Sequence, residues 1–135
     1  IYVVGGKGAM FDLPRDTALT TLLGDAYERG VVIGAVCHGP AALADVRLRD
    51  GTPLVQGKAL TGFTNEEEAV FGKRWAKEFP WLLEDRLRER GARWEEAALM
   101  MVKVVVDGRL VTGQNQNAGA EVANLMIKAA GGTRR

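Results

Sequence analysis

The chain has 135 residues, with 18 Lys and Arg against 17 Asp and Glu, a net charge of +1, and 47% hydrophobic residues. That is enough for one domain with its own core, and the composition is that of an ordinary globular protein. The balanced charge, with no basic stripe interleaved with aromatics, argues against a nucleic-acid partner, and no apolar run reaches the length of a membrane span. A single cysteine cannot close a disulfide within the chain, so nothing points to an oxidising compartment, and the expected location is the cytoplasm.

Residues 1–4 read as a buried strand, followed by the glycine turn Gly5-Gly6-Lys7-Gly8. A chain that opens on a strand starts in mid-fold, and we expect an upstream first strand and helix. Glycines in such a turn let the backbone approach a ligand or offer N–H groups to an anion, although glycine turns after strands are also common as plain connections. The turn lacks the Gly-x-Gly-x-x-Gly spacing of a dinucleotide site, so no nucleotide cofactor is expected.

Asp16 is a candidate helix cap. Ala18, Leu19, Leu22, Leu23 and Ala26 form one apolar face after it, and Gly30 is the stop. Residues 31–36 are almost wholly apolar and largely β-branched, the pattern of a strand covered on both faces in a parallel sheet. Strand–helix–strand order implies a crossover unit.

That second strand leads into Cys37-His38-Gly39-Pro40, the only cysteine and the only histidine of the chain. Residues 41–44 read as the start of a helix. A thiol at a strand-to-helix turn sits where amide groups and the helix dipole favour a thiolate, as in a nucleophile elbow with cysteine in place of serine. Taken alone, the pair also fits an ordinary buried cysteine beside an ordinary histidine. One Cys and one His at adjacent positions do not supply the ligand set of a zinc site, so no metal is expected.

Further along, Leu54-Val55 and residues 59–63 suggest short extended pieces. Thr64 or Asn65 caps a short helix over residues 66–71, whose Glu66-Glu67-Glu68 suits a helix start; at least two of the three glutamates are expected in solvent. Pro80 opens a helix over 81–90, with Leu83 and Leu87 on one face and Gly91 as the stop. Residues 101–106, Asp107-Gly108 and 109–112 read as a β-hairpin. A last helix carries Val122, Leu125, Met126 and Ala129 at helical spacing, and Arg134-Arg135 reads as a frayed tail. Trp75, Trp81 and Trp94 are too scattered for a stacking platform.

Taken together, Gly5-Gly6-Lys7-Gly8-Ala9-Met10-Phe11-Asp12-Leu13, Ala35-Val36-Cys37-His38-Gly39-Pro40, Gly57-Lys58-Ala59-Leu60-Thr61-Gly62-Phe63-Thr64-Asn65-Glu66-Glu67-Glu68, Phe79-Pro80-Trp81-Leu82-Leu83-Glu84-Asp85 and Asp107-Gly108-Arg109-Leu110-Val111-Thr112-Gly113-Gln114-Asn115 resemble the ThiJ/PfpI superfamily, related in fold to class I glutamine amidotransferases. The Cys-His-Gly-Pro and Thr-Gly-Phe-Thr segments are similar to the branch of glutathione-independent glyoxalases (glyoxalase III) and heat-shock chaperones. The resemblance implies a flavodoxin-like α/β doubly wound sandwich with a mostly parallel sheet and a C-terminal β-hairpin, spanning 1–135 and assembled as a homodimer. It implies Cys37 as nucleophile, His38 beside it and Glu68 as the acid of a triad, with Glu67 the close alternative. Oxyanion or substrate contacts fall to Gly5, Gly6 and Gly39, with the Gly6 and His38 amides as donors.

In two respects the chain departs from that branch. A glutamate after the family's first strand, which contacts the thiol, has no counterpart because it would lie before Ile1. Lys7 also stands where relatives often carry histidine, and Gln116 where they often carry proline, which bears on substrate choice.

The leading expectation is a cofactor-free conversion of methylglyoxal, or another small 2-oxoaldehyde, to a 2-hydroxy acid. The alternatives are a cysteine hydrolase acting on peptides, amides or glycated adducts, and a holdase chaperone. Glutamine amidotransfer is disfavoured, because that chemistry takes its histidine from a later site and no later histidine exists.

Overall fold

The computed structural model describes residues 1–132, so the Arg134-Arg135 tail lies outside the described residues. A four-stranded sheet runs in the order β1 (Tyr2–Val3), β2 (Ile33–Val36), β6 (Leu110–Gly113), β5 (Val104–Asp107). β1 and β6 both pair parallel to β2, and β5 returns antiparallel to β6 as the hairpin partner. Separately, β3 (Ala59–Leu60) and β4 (Arg93–Trp94) pair parallel. The α/β doubly wound class and the C-terminal hairpin are as expected.

The alternation along β2 explains the two layers. Ile33 and Ala35 enter the larger core with Leu23, Leu43 and Leu110, while Val36 joins Val111 and Val122 on the other face. Gly34 also points to that second face, where Met126 fills the space a side chain would need. Each fully buried Leu, Ile or Val contributes about 1.5–3 kcal/mol of transfer free energy, so a strand with two apolar faces is stable only between layers.

Helix α1 (Thr17–Glu28) covers one face and α4 (Gly119–Ala129) the other. Asp16 caps α1 by accepting from the Leu19 N–H at 3.0 Å. The buried side of α1 is Leu23, Ala26 and Tyr27 with Leu19 partly covered; Ala18 and Leu22 face solvent, because the helix meets the sheet about one turn later than its apolar run begins. On α4 Val122 is buried and Leu125 and Met126 are half-buried, whereas Ala129 is exposed beyond the edge of the sheet.

Other local expectations shift for tertiary reasons. Leu54-Val55 form a turn with their side chains in the core, not an extended piece. Helix α3 (Leu83–Glu89) starts later than residue 81 but buries Leu83 and Leu87 as expected. The residues after Cys37 make a five-residue 3-10 turn, Gly39–Leu43, rather than an α-helix, so the long macrodipole invoked from sequence is not behind the thiol.

The acidic triple departs furthest from expectation. α2 (Asn65–Glu67) continues into a π-helical turn, Glu68–Gly72, and both Glu67 and Glu68 are buried; only Glu66 is in solvent. A buried carboxylate requires partners, and the two find different ones.

Candidate active site

Cys37 directly follows β2 with φ 61°, a left-handed conformation that costs a non-glycine residue about 1 kcal/mol or more. Its neighbours hold it there. The Cys37 N–H donates to the Gly113 carbonyl at 3.0 Å, continuing the β2–β6 ladder, and the Cys37 carbonyl accepts from the Phe63 N–H at 2.9 Å. Gly5 closes the other side. A Cβ at that position would lie 2.6 Å from the Val36 carbonyl oxygen and 2.9 Å from Cys37 Cβ. Tight backbone packing therefore turns the strand end into an elbow, whose thiol faces a cavity.

His38 is buried, with Nδ1 3.5 Å from Cys37 Sγ. The imidazole lies between two phenyl rings, Phe63 at 4.5 Å and Phe79 at 5.6 Å between centroids. Its Nε2 is hydrogen-bonded to Glu68 Oε1. Burial alone would lower the imidazole pKa; hydrogen bonds and Coulomb attraction to Cys37 and Glu68 outweigh it and push the value up to about 9. The partners on both ring nitrogens thus favour the charged imidazole, whose two N–H groups would face sulfur and carboxylate.

Glu68 reaches His38 because the π turn places its carboxylate on the inner side. Gly72 makes room, since a Cβ there would collide with Glu68 Oε2. Among the described residues nothing donates to that second oxygen.

Glu67 faces elsewhere. Its Oε2 accepts from the Thr64 N–H at 3.1 Å while Thr64 Oγ1 accepts from the Glu67 N–H at 3.1 Å, a reciprocal capping box. Its Oε1 accepts from Asn115 Nδ2 at 2.7 Å, Gln114 Nε2 at 2.9 Å and the Met100 N–H at 3.1 Å. Of the two glutamates left open by the sequence, Glu68 is the one on His38.

The cavity above the thiol holds about 700 Å³ and is largely apolar. Cys37 and His38 lie on one wall; Gly5, Gly6, Lys7 and Gln116 contribute others. Gly39 does not line it. A Cβ there would collide with the Val3 carbonyl oxygen, leaving no space for a side chain, so its glycine serves packing rather than ligand contact.

Further residues complete the site. Phe71 and Met100 also line the cavity, Met100 with a left-handed φ of 59°, and Gln114 and Asn115 support the Met100 segment through Glu67. The Thr64-x-x-Glu67 spacing was a visible signal for the capping box; nothing local marks Met100. Among the described residues no group of three or more His, Cys, Asp or Glu side chains is arranged to hold a metal ion, and no helix is long and apolar enough to cross a membrane.

A left-handed cysteine between a doubly covered parallel strand and a helical turn, under a cavity, defines the cysteine-elbow class of α/β proteins. Comparison narrows the class: the DJ-1/PfpI family model matches residues 1–129, and the chain belongs to that family. A glutathione-independent glyoxalase of Schizosaccharomyces pombe is 36% identical over 141 aligned residues, covering 100% of this chain and 58% of that protein. The crystal structure of glyoxalase III from Candida albicans aligns with a TM-score of 0.88 at 33% identity, covering 95% of this chain and 55% of that one. The Francisella tularensis Rapid Encystment Protein 24 KDa aligns with a TM-score of 0.88 at 33% identity, covering 95% and 57%. The chain thus spans a little over half the length of the relatives it matches.

Proposed function

We propose that this protein converts methylglyoxal and related 2-oxoaldehydes to 2-hydroxy acids without glutathione, using Cys37, His38 and Glu68 as nucleophile, proton carrier and orienting acid. The observation that carries the reading is the single line of contacts from Cys37 Sγ, in a left-handed elbow at the cavity, through His38 to Glu68. The similarity to glutathione-independent glyoxalases supports it.

In this mechanism the Cys37 thiolate, paired with the charged imidazole, adds to the aldehyde carbon. His38 delivers its proton to the resulting alkoxide, giving a hemithioacetal. The neutral imidazole then takes the proton from the former aldehyde carbon, and the electron pair moves to the ketone oxygen as an enediolate. The proton on the first oxygen passes to the second, and His38 returns its own to the second carbon, which leaves a thioester. Water hydrolyses the thioester, releasing the 2-hydroxy acid and the thiol. The Gly6 and His38 amides are the oxyanion donors in this scheme, with Gly5 shaping the wall beside them. Glu68 keeps Nε2 protonated so that Nδ1 faces the sulfur.

The test is lactate formation from methylglyoxal in the absence of glutathione, by the protein and by Cys37→Ala. Lactate made by the first and lost in the second supports the reading. Equal rates in both remove Cys37 from the chemistry.

A holdase activity is the second reading, favoured by Val4 and Phe71, which line the cavity yet are 68% and 53% exposed. Its signature is suppression of client aggregation that survives Cys37→Ala. The proposed setting is a cytoplasmic homodimer, which a lone free cysteine suits.

A further inference from the structure

The proposed chemistry leaves unused one charged group of the cavity wall. Lys7 lines the cavity with a half-buried side chain, two residues beyond the glycine that packs on the elbow. Its Nζ is 6.0 Å from the centroid of the Trp75 ring, and the Arg74 guanidinium approaches the same ring at 5.6 Å. Among the described residues, no carboxylate forms an ion pair with Lys7, and none lines the cavity. The buried acid of the Cys37–His38 line, Glu68, is engaged by His38. Among the described residues Lys7 is the one lysine or arginine on the cavity wall, in a chain whose net charge is only +1.

An ammonium on the wall of a largely apolar cavity, with no carboxylate beside it, is a ready partner for the charged end of an entering anion. Low-dielectric walls also focus its field toward the bottom of the cleft, where the thiol sits. A lysine ammonium is a point charge on a flexible stem, so it selects negative charge rather than one anion geometry. Gln116, exposed at the rim, adds an uncharged donor.

We propose that Lys7 makes the Cys37 cavity select ligands with a negatively charged tail, which for the chemistry proposed above means 2-oxoaldehydes ending in a carboxylate or phosphate. That substrate assignment rests on the glyoxalase reading; the charge selection does not.

Two measurements separate them. The first compares kcat/KM for 4,5-dioxopentanoate, a 2-oxoaldehyde with a terminal carboxylate, and for its neutral methyl ester. The protein is expected to prefer the acid by about tenfold, Lys7→Arg to keep the preference and Lys7→Met to lose it, as a charge-assisted contact of ordinary strength requires. The second compares alkylation of Cys37 by iodoacetate and iodoacetamide. The iodoacetate to iodoacetamide rate ratio should fall several-fold in Lys7→Met, and in the unmodified chain it should fall with added salt. A lowered alkylation ratio without turnover of either aldehyde upholds charge selection and overturns the glyoxalase reading. Turnover of both aldehydes at equal efficiency, with an alkylation ratio indifferent to Lys7→Met, overturns the Lys7 proposal and leaves the glyoxalase reading standing.

Discussion

Glu67 and Glu68 are adjacent in the chain, both buried, and serve different structures: Glu68 bonds His38 Nε2, whereas Glu67 ties the Thr64 cap to Gln114, Asn115 and the Met100 N–H. The division follows from geometry, since consecutive helical residues point about 100° apart. It predicts separable phenotypes. Glu67→Gln places an N–H against a donor whichever way the amide is turned, and is expected to cost about 1–3 kcal/mol of stability. Glu68→Gln is expected to slow lactate formation and Cys37 alkylation far more than its effect on stability would suggest. Urea unfolding alongside alkylation rates checks both, and a Glu67→Gln protein of unchanged stability would contradict the network.

The elbow carries a conformational cost that substitution can reveal. Cys37 has φ 61°, which glycine adopts freely and alanine does not. Cys37→Gly should be more stable than Cys37→Ala by about 1 kcal/mol, apart from the small loss of Cβ contacts. Denaturant midpoints of the two variants at one pH give the answer, and the reverse order would mean the left-handed conformation is not strained.

Gly5 is the steric floor of the elbow. An added methyl group meets the Val36 carbonyl oxygen at 2.6 Å and the His38 nitrogen at 2.7 Å, both backbone atoms that cannot rotate away. Gly5→Ala is expected to destabilise by about 2 kcal/mol and to displace Sγ enough to reduce lactate formation by an order of magnitude or more. Gly8→Ala is the control, because nothing lies within 4 Å of a Cβ there.

The His38 pair imposes a pH dependence. Its pKa in the folded protein, about 9, lies above the ordinary value of 6.5, so the folded state binds this proton more tightly than the unfolded chain. The resulting stabilisation is full below about pH 6.5 and is lost as pH rises through about 9. The Tm difference between the protein and Glu68→Gln should therefore narrow over that interval. A difference that stays constant or widens with pH would show that His38 is not held charged by Glu68.

The local pattern carried much of this architecture. The apolar run before Cys37 specified a doubly covered strand, because a residue series with no polar face is stable only between two layers. Asp16 announced its helix start, and of the two candidates for the next, Thr64 and Asn65, the structure uses Thr64, since capping is satisfied within three residues of chain. The Cys-His pair and the motif order were legible for the same reason: they depend on neighbours in sequence.

What the sequence left open depended on residues far apart in the chain. Whether Glu67 or Glu68 meets His38 was decided by the π turn and by Gly72, and the burial of both acids by partners up to 48 positions away. The cavity is closed by Lys7, Phe71 and Met100, which share no motif and meet only when β1, the turn after α2 and the segment before β5 converge. Solvation explains the limit. A charged or polar side chain is harmless in solvent wherever it stands in the chain, but once buried it must find a partner, and tertiary packing alone determines which partner is within reach.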